Sequence, residues 1–382
     1  MREPIFPQLP PMGWNSWNTF YDQYDAKLIM SVADALTEKG YAEKGYRYLI
    51  LDDCWAAKER DGKGRLVPDP AKFPDGIRPV IDYVHAKGLK FGLYGCCGVR
   101  TCAGYPGSFE HEYEDAACFA EWGVDYLKYD NCHRPNSQGS EMLYRRMSMA
   151  LRNCGRDIIL AACQWGTEDV ETWIRSSGAH TYRSTVDIQD SWASVKSIAE
   201  QRLQHLSCGG PGCFDDMDML VAGMYGGGSN PETSQGGCTA EEYRTHFALW
   251  AMLNAPLIIG CDIRSADEET RQLLQNADLI ALNQDPECRT CYRLKCECNP
   301  GAVVLVKPLA GGDYAVGLFN FSDSEGCAGV TFWDMGLTAA SGMGLRFYDC
   351  MDHRDLGVQK EAFRILLPPH GCRVYRCRPV KQ

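Results

Sequence analysis

The chain has 382 residues, of which 45% are hydrophobic and 23% charged, values typical of a globular protein with a large core. Its formal net charge of -11 at pH 7 disfavours a nucleic-acid partner or an anionic membrane surface, because both are bound through basic patches. No run approaches the roughly 18 consecutive apolar residues of a membrane-spanning helix, and the length predicts a barrel followed by a smaller module.

The N-terminus and the cysteines bear on the compartment. Met1-Arg2-Glu3-Pro4 lacks the basic segment and apolar run of a secretory signal, so we expect a cytoplasmic protein. A secreted protein whose signal had been removed would show the same sequence. The twenty cysteines are scattered rather than arranged as a small disulfide framework, so most are expected to be buried or free thiols.

Eight strand-then-helix units precede residue 285 and predict an α/β fold, a (β/α)₈ TIM barrel. A doubly wound open sheet is the alternative, but no Gly-x-Gly-x-x-Gly turn follows a strand. Most predicted strands are short apolar runs, as in parallel sheets covered on both faces. They span 12–14, 46–51, 90–94, 125–129, 158–163, 181–186, 217–221 and 256–261.

Amphipathic segments between these strands have recognisable ends. Residues 27–39 follow Asp25, which is expected to cap a helix. Thr239 and Glu242 predict a capping box ahead of a helix over 243–254. These helices support the alternating β/α pattern.

After Pro286 the pattern changes to short strand-like runs separated by turn residues, which predicts an antiparallel β-sandwich. We therefore assign residues 1–287 to a catalytic barrel and 288–382 to a C-terminal β-sandwich domain. The predicted strands span 303–307, 314–321, 329–333, 345–348, 363–367 and 372–377.

Four cysteines lie close together at the start of the second domain: Cys288, Cys291, Cys296 and Cys298. A zinc site is one interpretation, but a single residue separates the last pair, unlike the usual ligand spacing. Residues 292–298 also alternate like a strand. We favour the strand and predict no metal.

Two carboxylates are placed at strand ends, where α/β enzymes keep their chemistry. Asp130 ends the fourth predicted strand, and Lys128 points to the same side, so we expect a lowered pKa and an ionised nucleophile. Asp187 ends the sixth, and we expect burial and the Asp130 charge to raise its pKa, as an acid requires. Two such groups facing one sugar carbon are what glycoside hydrolysis needs.

Other polar residues at the same edge have recognition and structural interpretations. Asp52 and Asp53 are adjacent, so their side chains diverge and suit neighbouring sugar hydroxyls. Trp17 lies near a strand end, where a flat aromatic face suits a pyranose ring. An Asp at such a junction is also often a helix cap or a loop ion pair, and Lys128 could form an ion pair inside the barrel.

Six ordered motifs resemble those of glycoside hydrolase family 27, which contains the α-galactosidases and the α-N-acetylgalactosaminidases. The resemblance continues into the C-terminal module and covers nearly the whole chain. The motifs are PMGWNSW (11–17), LDDCW (51–55), TCAGYPGS (101–108), YDNC (129–132), RSTVD (183–187) and DMDML (216–220), followed by ALNQD (281–285) and AGGDYAV (310–316).

The resemblance implies a retaining α-glycosidase that needs no cofactor and acts on a terminal α-galactoside. Asp130 would be the nucleophile and Asp187 the acid/base, with the two carboxyl groups about 5–5.5 Å apart. The substrate-binding residues implied by the resemblance are Trp17, Asp52, Asp53, Tyr94, Lys128, Gln164, Thr167, Arg183 and Asp218. Relatives are monomers or dimers, so either state is expected.

Several positions, two of which depart from the family pattern, bear on substrate specificity and on disulfides. Gln164 stands where many α-galactosidases carry Glu, which leaves galactose and N-acetylgalactosamine as alternatives, and the small Thr167 would leave room for an acetamido group. Asp52, rather than a longer acid, favours a hexose over an arabinopyranoside. Cys54 is expected to be unpaired, whereas Cys102 and Cys132 match a family disulfide.

The leading hypothesis is therefore an exo-acting α-galactosidase, with an α-N-acetylgalactosaminidase as the alternative. A non-catalytic sugar-binding barrel is a third hypothesis. The presence of both Asp130 and Asp187 argues against it, because a binder has no use for an acid and a nucleophile at the anomeric carbon.

Overall fold

A computed structural model describes residues 7–296 and 298–381 of the chain. Met1-Arg2-Glu3-Pro4, from which we inferred that no signal is visible, lies outside the described residues. Among the helices within those two ranges, none combines the length and the apolar character that a bilayer crossing requires.

The predicted barrel is confirmed. Eight parallel strands follow one another around a sheet in the order β7-β6-β5-β4-β3-β2-β1-β8. Leu220 closes it through a parallel bridge to Ile259. The strands are β1 Met12–Asn15, β2 Tyr48–Leu51, β3 Lys90–Cys96, β4 Tyr126–Asp130, β5 Ile159–Cys163, β6 Thr181–Arg183, β7 Phe214–Asp216 and β8 Leu257–Ile259.

Two strands differ from the prediction. The sixth ends at Arg183 rather than at residue 186, so Asp187 lies in a loop and does not end a strand. The seventh, predicted at 217–221, is β7 at Phe214–Asp216. The chain bends immediately after it, because Asp218 adopts a left-handed φ of 75°. The apolar run that suggested a strand therefore supplies only the closing bridge.

Helices alternate with the barrel strands, and the short first one contributes Trp17 and Asn18 to a cavity at the strand ends. Asp25 caps the second one through a bond from the Leu28 amide, and Thr239 and Glu242 form the predicted capping box. The helices are α1 Trp17–Phe20, α2 Ala26–Glu38, α3 Arg78–Ala86, α4 Glu112–Trp122, α5 Ser140–Asn153, α6 Val170–Ser177, α7 Trp192–Arg202, α8 Ala240–Met252, α9 Glu268–Leu274 and α10 Ala277–Asn283.

The C-terminal domain is an antiparallel β-sandwich, as predicted. A six-stranded sheet has the order β14-β13-β16-β11-β10-β9, and β12 pairs with β15 alongside it. The strands are β9 Tyr292–Leu294, β10 Ala302–Pro308, β11 Tyr314–Asn320, β12 Gly326–Thr331, β13 Met343–Asp349, β14 Arg354–Gln359, β15 Ala362–Leu367 and β16 Cys372–Lys381. Strand β14 was not predicted because its edge position leaves it without a buried apolar face.

The two domains share a core. Val303 and Leu305 of β10 pack into the same apolar cluster as the barrel residues. The Lys307 ammonium is fully buried and donates to the Asn254 amide oxygen and the Leu282 carbonyl. The domain boundary that we predict, between residues 287 and 288, falls in the segment joining α10 to β9.

The cysteines are mostly free thiols, as expected, with eighteen unpaired. The four cysteines near the domain boundary do not converge. Cys288 and Cys291 donate to backbone carbonyls, including that of Met252, whereas Cys296 and Cys298 approach each other in the C-terminal domain. Cys288 and Cys291 therefore contribute to the packing of this segment against the barrel.

Candidate active site

A cavity of about 320 Å³ opens at the carboxyl ends of the barrel strands. All the predicted site residues line it except Gln164 and Thr167. Those that do are Trp17, Asp52, Asp53, Tyr94, Lys128, Asp130, Arg183, Asp187 and Asp218. Parallel strands bring these residues together because their carboxyl ends meet at one rim.

Asp130 ends β4 and is buried, with 5% exposure. Its Oδ2 accepts from the Tyr94 hydroxyl at 2.7 Å, and its Oδ1 accepts from the Asn131 amide at 2.8 Å. Burial raises the pKa of Asp130 to about 6, the Asp187 charge adds to this, and the Lys128 charge and Tyr94 hydrogen bond oppose it. Our prediction of a lowered pKa is wrong, because desolvation outweighs the ammonium.

Lys128 instead pairs directly with Asp52. Its Nζ lies 2.8 Å from Asp52 Oδ2, and the Asn15 amide nitrogen donates to the same oxygen at 2.7 Å. Burial lowers the pKa of Lys128, but the combined negative charges around it, with Asp52 the strongest, outweigh burial and the pKa is raised. The interior ion pair that we considered for Lys128 is therefore present, and it holds Asp52 at the cavity floor.

Asp53 diverges from its neighbour, as predicted. Its Oδ1 accepts from the Cys54 amide at 2.7 Å, and its Oδ2 accepts from the Ala103 amide at 3.0 Å. Burial raises the pKa of this carboxyl, and the two amides oppose that effect. Neutral donors thus orient Asp53 and leave lone pairs for a ligand hydroxyl.

Asp187 has a very different environment. Its side chain is 68% exposed, and Oδ1 lies 2.9 Å from Arg183 Nη2. The burial that we predicted for Asp187 is wrong, because β6 ends four residues earlier and the loop carries the carboxylate to the cavity mouth. An exposed carboxylate at the mouth can exchange protons with water, as a general acid and base must.

Arg183 connects two carboxylates. It is 4% exposed, and its Nη1 lies 3.1 Å from Asp218 Oδ1 while Nη2 contacts Asp187. The other Asp218 oxygen accepts from the Ile188 amide at 2.8 Å. Asp218 thus fixes both Arg183 and the backbone next to Asp187.

Gln164 and Thr167 do not line the cavity. Gln164 is fully buried and donates from Nε2 to Thr167 Oγ1 at 2.7 Å, while Thr167 is exposed. Gly166 allows this turn, because its φ is +72° and an added Cβ would lie 2.1 Å from the Ser184 carbonyl oxygen. Cys163, at the end of β5, lines the cavity in their place.

Several cavity residues were not predicted. Glu232 and Thr233 come from the glycine-rich segment 223–237, whose position after the seventh strand was the available signal. Asn18 is buried with its amide nitrogen unpartnered within the described part of the chain, and no sequence pattern marks it. Gln189 lies in the loop after β6 and also lines the cavity.

A disulfide between Cys102 and Cys132 holds the loop that carries Ala103 to the segment just after β4, with Cα atoms 5.3 Å apart. Cys54 is unpaired, as predicted. The Lys72 ammonium, and not a disulfide, connects the backbone at Cys54 to the backbone at Asp22. It donates to the carbonyl oxygens of both residues at 2.8 Å.

Within residues 7–296 and 298–381, one group of three side chains lies close enough together to hold a metal ion. It consists of Cys102, Asp130 and Cys132. Its sulfurs are bonded to each other, and metal binding requires thiolates. With the disulfide formed, this group offers a metal only the Asp130 carboxylate.

Comparisons with known proteins identify the family. Residues 9–285 match the family model described as alpha galactosidase A, and residues 299–377 match the alpha galactosidase C-terminal beta sandwich domain. An α-galactosidase of Coffea arabica is 44% identical over 97% of this chain and 94% of its own length.

Solved structures agree with this assignment. α-Galactosidase I from Mortierella vinacea superposes with a TM-score of 0.90 and 31% identity, covering 97% of each chain. The Saccharomyces cerevisiae α-galactosidase solved with raffinose gives 0.85 and 28%, covering 98% of each chain. The chain therefore belongs to glycoside hydrolase family 27, and its enzymatic activity is that of an α-galactosidase.

Proposed function

We propose that this enzyme removes terminal α-galactosyl residues with retention of configuration, with Asp130 as nucleophile and Asp187 as acid/base. The observation that carries the proposal is the contrast between two carboxylates of one cavity: Asp130 is buried and Asp187 exposed. A nucleophile benefits from a dry, fixed position, and an acid/base benefits from access to water.

In the first step, an Asp130 oxygen attacks the anomeric carbon while the bond to the leaving oxygen breaks. Asp187 transfers its proton to that oxygen, so the aglycone leaves as an alcohol and Asp130 becomes a galactosyl ester. The Tyr94 and Asn131 hydrogen bonds hold the attacking carboxylate in place.

In the second step, water attacks the anomeric carbon from the face that the aglycone has left. Asp187 accepts the proton of that water, the ester bond breaks, and Asp130 is released as a carboxylate. Asp187 therefore acts as an acid in the first step and as a base in the second.

The remaining carboxylates supply galactose recognition. Asp52 and Asp53 present oriented lone pairs at the cavity floor, and Lys128 can donate to a hydroxyl while holding Asp52. Trp17 lines the same cavity and offers an aromatic surface to the sugar ring. The raffinose bound by the Saccharomyces cerevisiae relative supports a carbohydrate substrate.

A secondary activity on α-N-acetylgalactosaminides is the second candidate function, because the Gln164 side chain turns toward Thr167 and away from the cavity. No carboxylate at that position then selects a hydroxyl on sugar carbon 2. Room for an acetamido group is the feature that separates the two candidates.

Two measurements test the proposal. Proton NMR of the first-formed sugar is expected to show α-galactose before mutarotation, and β-galactose would overturn the retaining mechanism. Hydrolysis of 4-nitrophenyl α-galactoside should exceed that of the α-N-acetylgalactosaminide, and comparable rates on the two substrates would establish the secondary activity.

A further inference from the structure

The loop that carries Asp187 is anchored by a residue outside the cavity wall. Asp190, three positions further along, is fully buried. Its two carboxylate oxygens lie 2.8 and 3.0 Å from the Tyr243 hydroxyl, and the Gly226 amide donates to Oδ2 at 2.7 Å. The side chain therefore links the loop after β6 to α8 and to the glycine-rich segment.

The Asp190 backbone makes a second set of contacts with the same segment. Its amide donates to the Thr233 carbonyl at 2.8 Å, and its carbonyl accepts from the Gly237 amide at 3.0 Å. One residue thus binds both ends of segment 223–237. Glu232 and Thr233 of that segment line the cavity beside Asp187.

A contribution to stability does not by itself explain why the Asp190 carboxylate is buried. Its donors are neutral, and within residues 7–296 and 298–381 no cation pairs with it. Burial raises the pKa of Asp190, which expresses the cost of a buried charge without a countercharge. Such costs are typical of positions where geometry matters for function.

We propose that Asp190 is a positioning residue that fixes Asp187 relative to the wall formed by segment 223–237, and so sets proton transfer to the aglycone oxygen. The proposal rests on the role of Asp187 given above. It does not require Asp190 to contact the substrate.

Leaving-group dependence tests the proposal. A sugar leaving group needs the proton from Asp187, whereas 2,4-dinitrophenolate does not. Asp190→Ala is therefore expected to lower kcat/KM for raffinose about 10- to 100-fold and that for 2,4-dinitrophenyl α-galactoside less than about threefold. Asp190→Asn, which keeps one acceptor oxygen, should fall between Asp190→Ala and the wild type.

Two further variants keep the test decisive. Tyr243→Phe removes the hydroxyl that donates to both Asp190 oxygens. It should change the ratio of kcat/KM for raffinose to kcat/KM for 2,4-dinitrophenyl α-galactoside in the same direction as Asp190→Ala. Asp349→Asn is the matched control: this buried carboxylate in β13 accepts from the Met351 and Asp352 amides, far from the cavity loop in sequence, and its loss should leave the ratio unchanged.

An equal loss on both substrates in Asp190→Ala would overturn the proposal, since misfolding or general loosening lowers all activities together. Asp187→Ala provides the reference. If it lacks the leaving-group dependence, the proposed acid/base role itself is wrong, and this outcome is distinguishable from failure at Asp190 alone.

An independent observation concerns the C-terminal domain. Cys298 Sγ lies 2.6 Å from Cys327 Sγ, and Cys296 Sγ lies 3.4 Å from Cys298 Sγ. Cys298 is exposed and follows β9, whereas Cys327 is in β12. A bond between these two sulfurs would connect the six-stranded sheet to the β12–β15 pair.

We infer that Cys298 and Cys327 form an oxidisable dithiol, with Cys296 placed to exchange with the product. Glutathione disulfide is a suitable oxidant: two protein thiols become one disulfide, and the oxidant is reduced to two glutathione thiols. The mixed disulfide with glutathione forms first and is displaced by the second cysteine.

Differential alkylation with peptide mass spectrometry tests this inference. Partial desolvation and the hydrogen bond to Cys327 raise the pKa of the exposed Cys298 to about 12, so long incubation with glutathione disulfide at pH 8.5 is required. We expect a crosslinked 298–327 peptide and a higher Tm, both lost in Cys327→Ser, with α-galactosidase activity unchanged. Cys154→Ser, which removes another incompletely buried free thiol, should retain both. Complete alkylation of both cysteines after incubation, or a link only between Cys296 and Cys298, would overturn the inference.

Discussion

The two sides of the cavity are built in opposite ways. Asp130 belongs to a strand, is buried, and lies beside the Cys102–Cys132 disulfide. Asp187 belongs to a loop, is exposed, and is held by Arg183 and by backbone contacts further along that loop. The strand side fixes a position, whereas the loop side keeps access to water and to the aglycone.

This difference supports the two roles proposed for the same side-chain type. Desolvation raises the pKa of Asp130 on the strand side, whereas the Asp187 side chain at the mouth is exposed to water. Substitutions on the two sides should therefore fail in different ways.

The largest effect is expected from Asp130→Gly, which should lower kcat about 10⁴-fold or more on every α-galactoside, because no covalent intermediate forms. Added azide should restore part of the activity and give β-galactosyl azide, since a single displacement inverts the anomeric centre. Kinetics with product NMR measures both. Unchanged turnover would contradict the nucleophile assignment.

Asp187→Ala should show the opposite pattern. Without proton transfer, kcat/KM is expected to fall about 10²- to 10⁴-fold for raffinose and far less for 2,4-dinitrophenyl α-galactoside. Azide should here give α-galactosyl azide, because it replaces water in the second displacement. The same azide anomer from both variants would remove the distinction between the two sides.

Lys128→Met tests the rigid side through stability. Removing the ammonium leaves the Asp52 carboxylate buried and unpaired, which should lower the free energy of unfolding by about 3–5 kcal/mol. Urea denaturation measures this loss. The double variant Lys128→Met with Asp52→Asn should recover part of it, and strictly additive losses would show that the pair is not coupled.

The smallest effect is expected from Tyr94→Phe. Activity requires ionised Asp130, so kcat/KM should fall as the pH drops through about 6. The Tyr94 hydroxyl lowers that pKa, so its removal should move the acid limb upward and reduce activity at pH 7 about two- to tenfold. Tyr24→Phe is the control, because its hydroxyl donates to the Asp53 carbonyl instead. A downward shift in Tyr94→Phe would contradict the assignment.

Sequence patterns predicted the elements whose signals are local. Helix caps at Asp25 and Thr239 and most barrel strands follow from neighbouring residues and were confirmed. The bend at Asp218 was missed, because an apolar run does not show where backbone pairing stops.

The site was predicted less evenly. Motifs gave Asp130 and Asp187, and both line the cavity. Their environments were predicted in error: Lys128 turned out to pair with Asp52, and Asp187 lies beyond its strand. Asn18 and Glu232 carried no chemical motif at all.

The sequence alone therefore determined which residue types meet at the barrel rim, since strand ends and motifs are encoded by adjacent positions. Only the tertiary structure decided which carboxylate is buried, which is exposed and which cation pairs with each one. Desolvation and ion pairing depend on atoms brought together from distant parts of the chain, and their balance fixes the chemistry of each carboxylate.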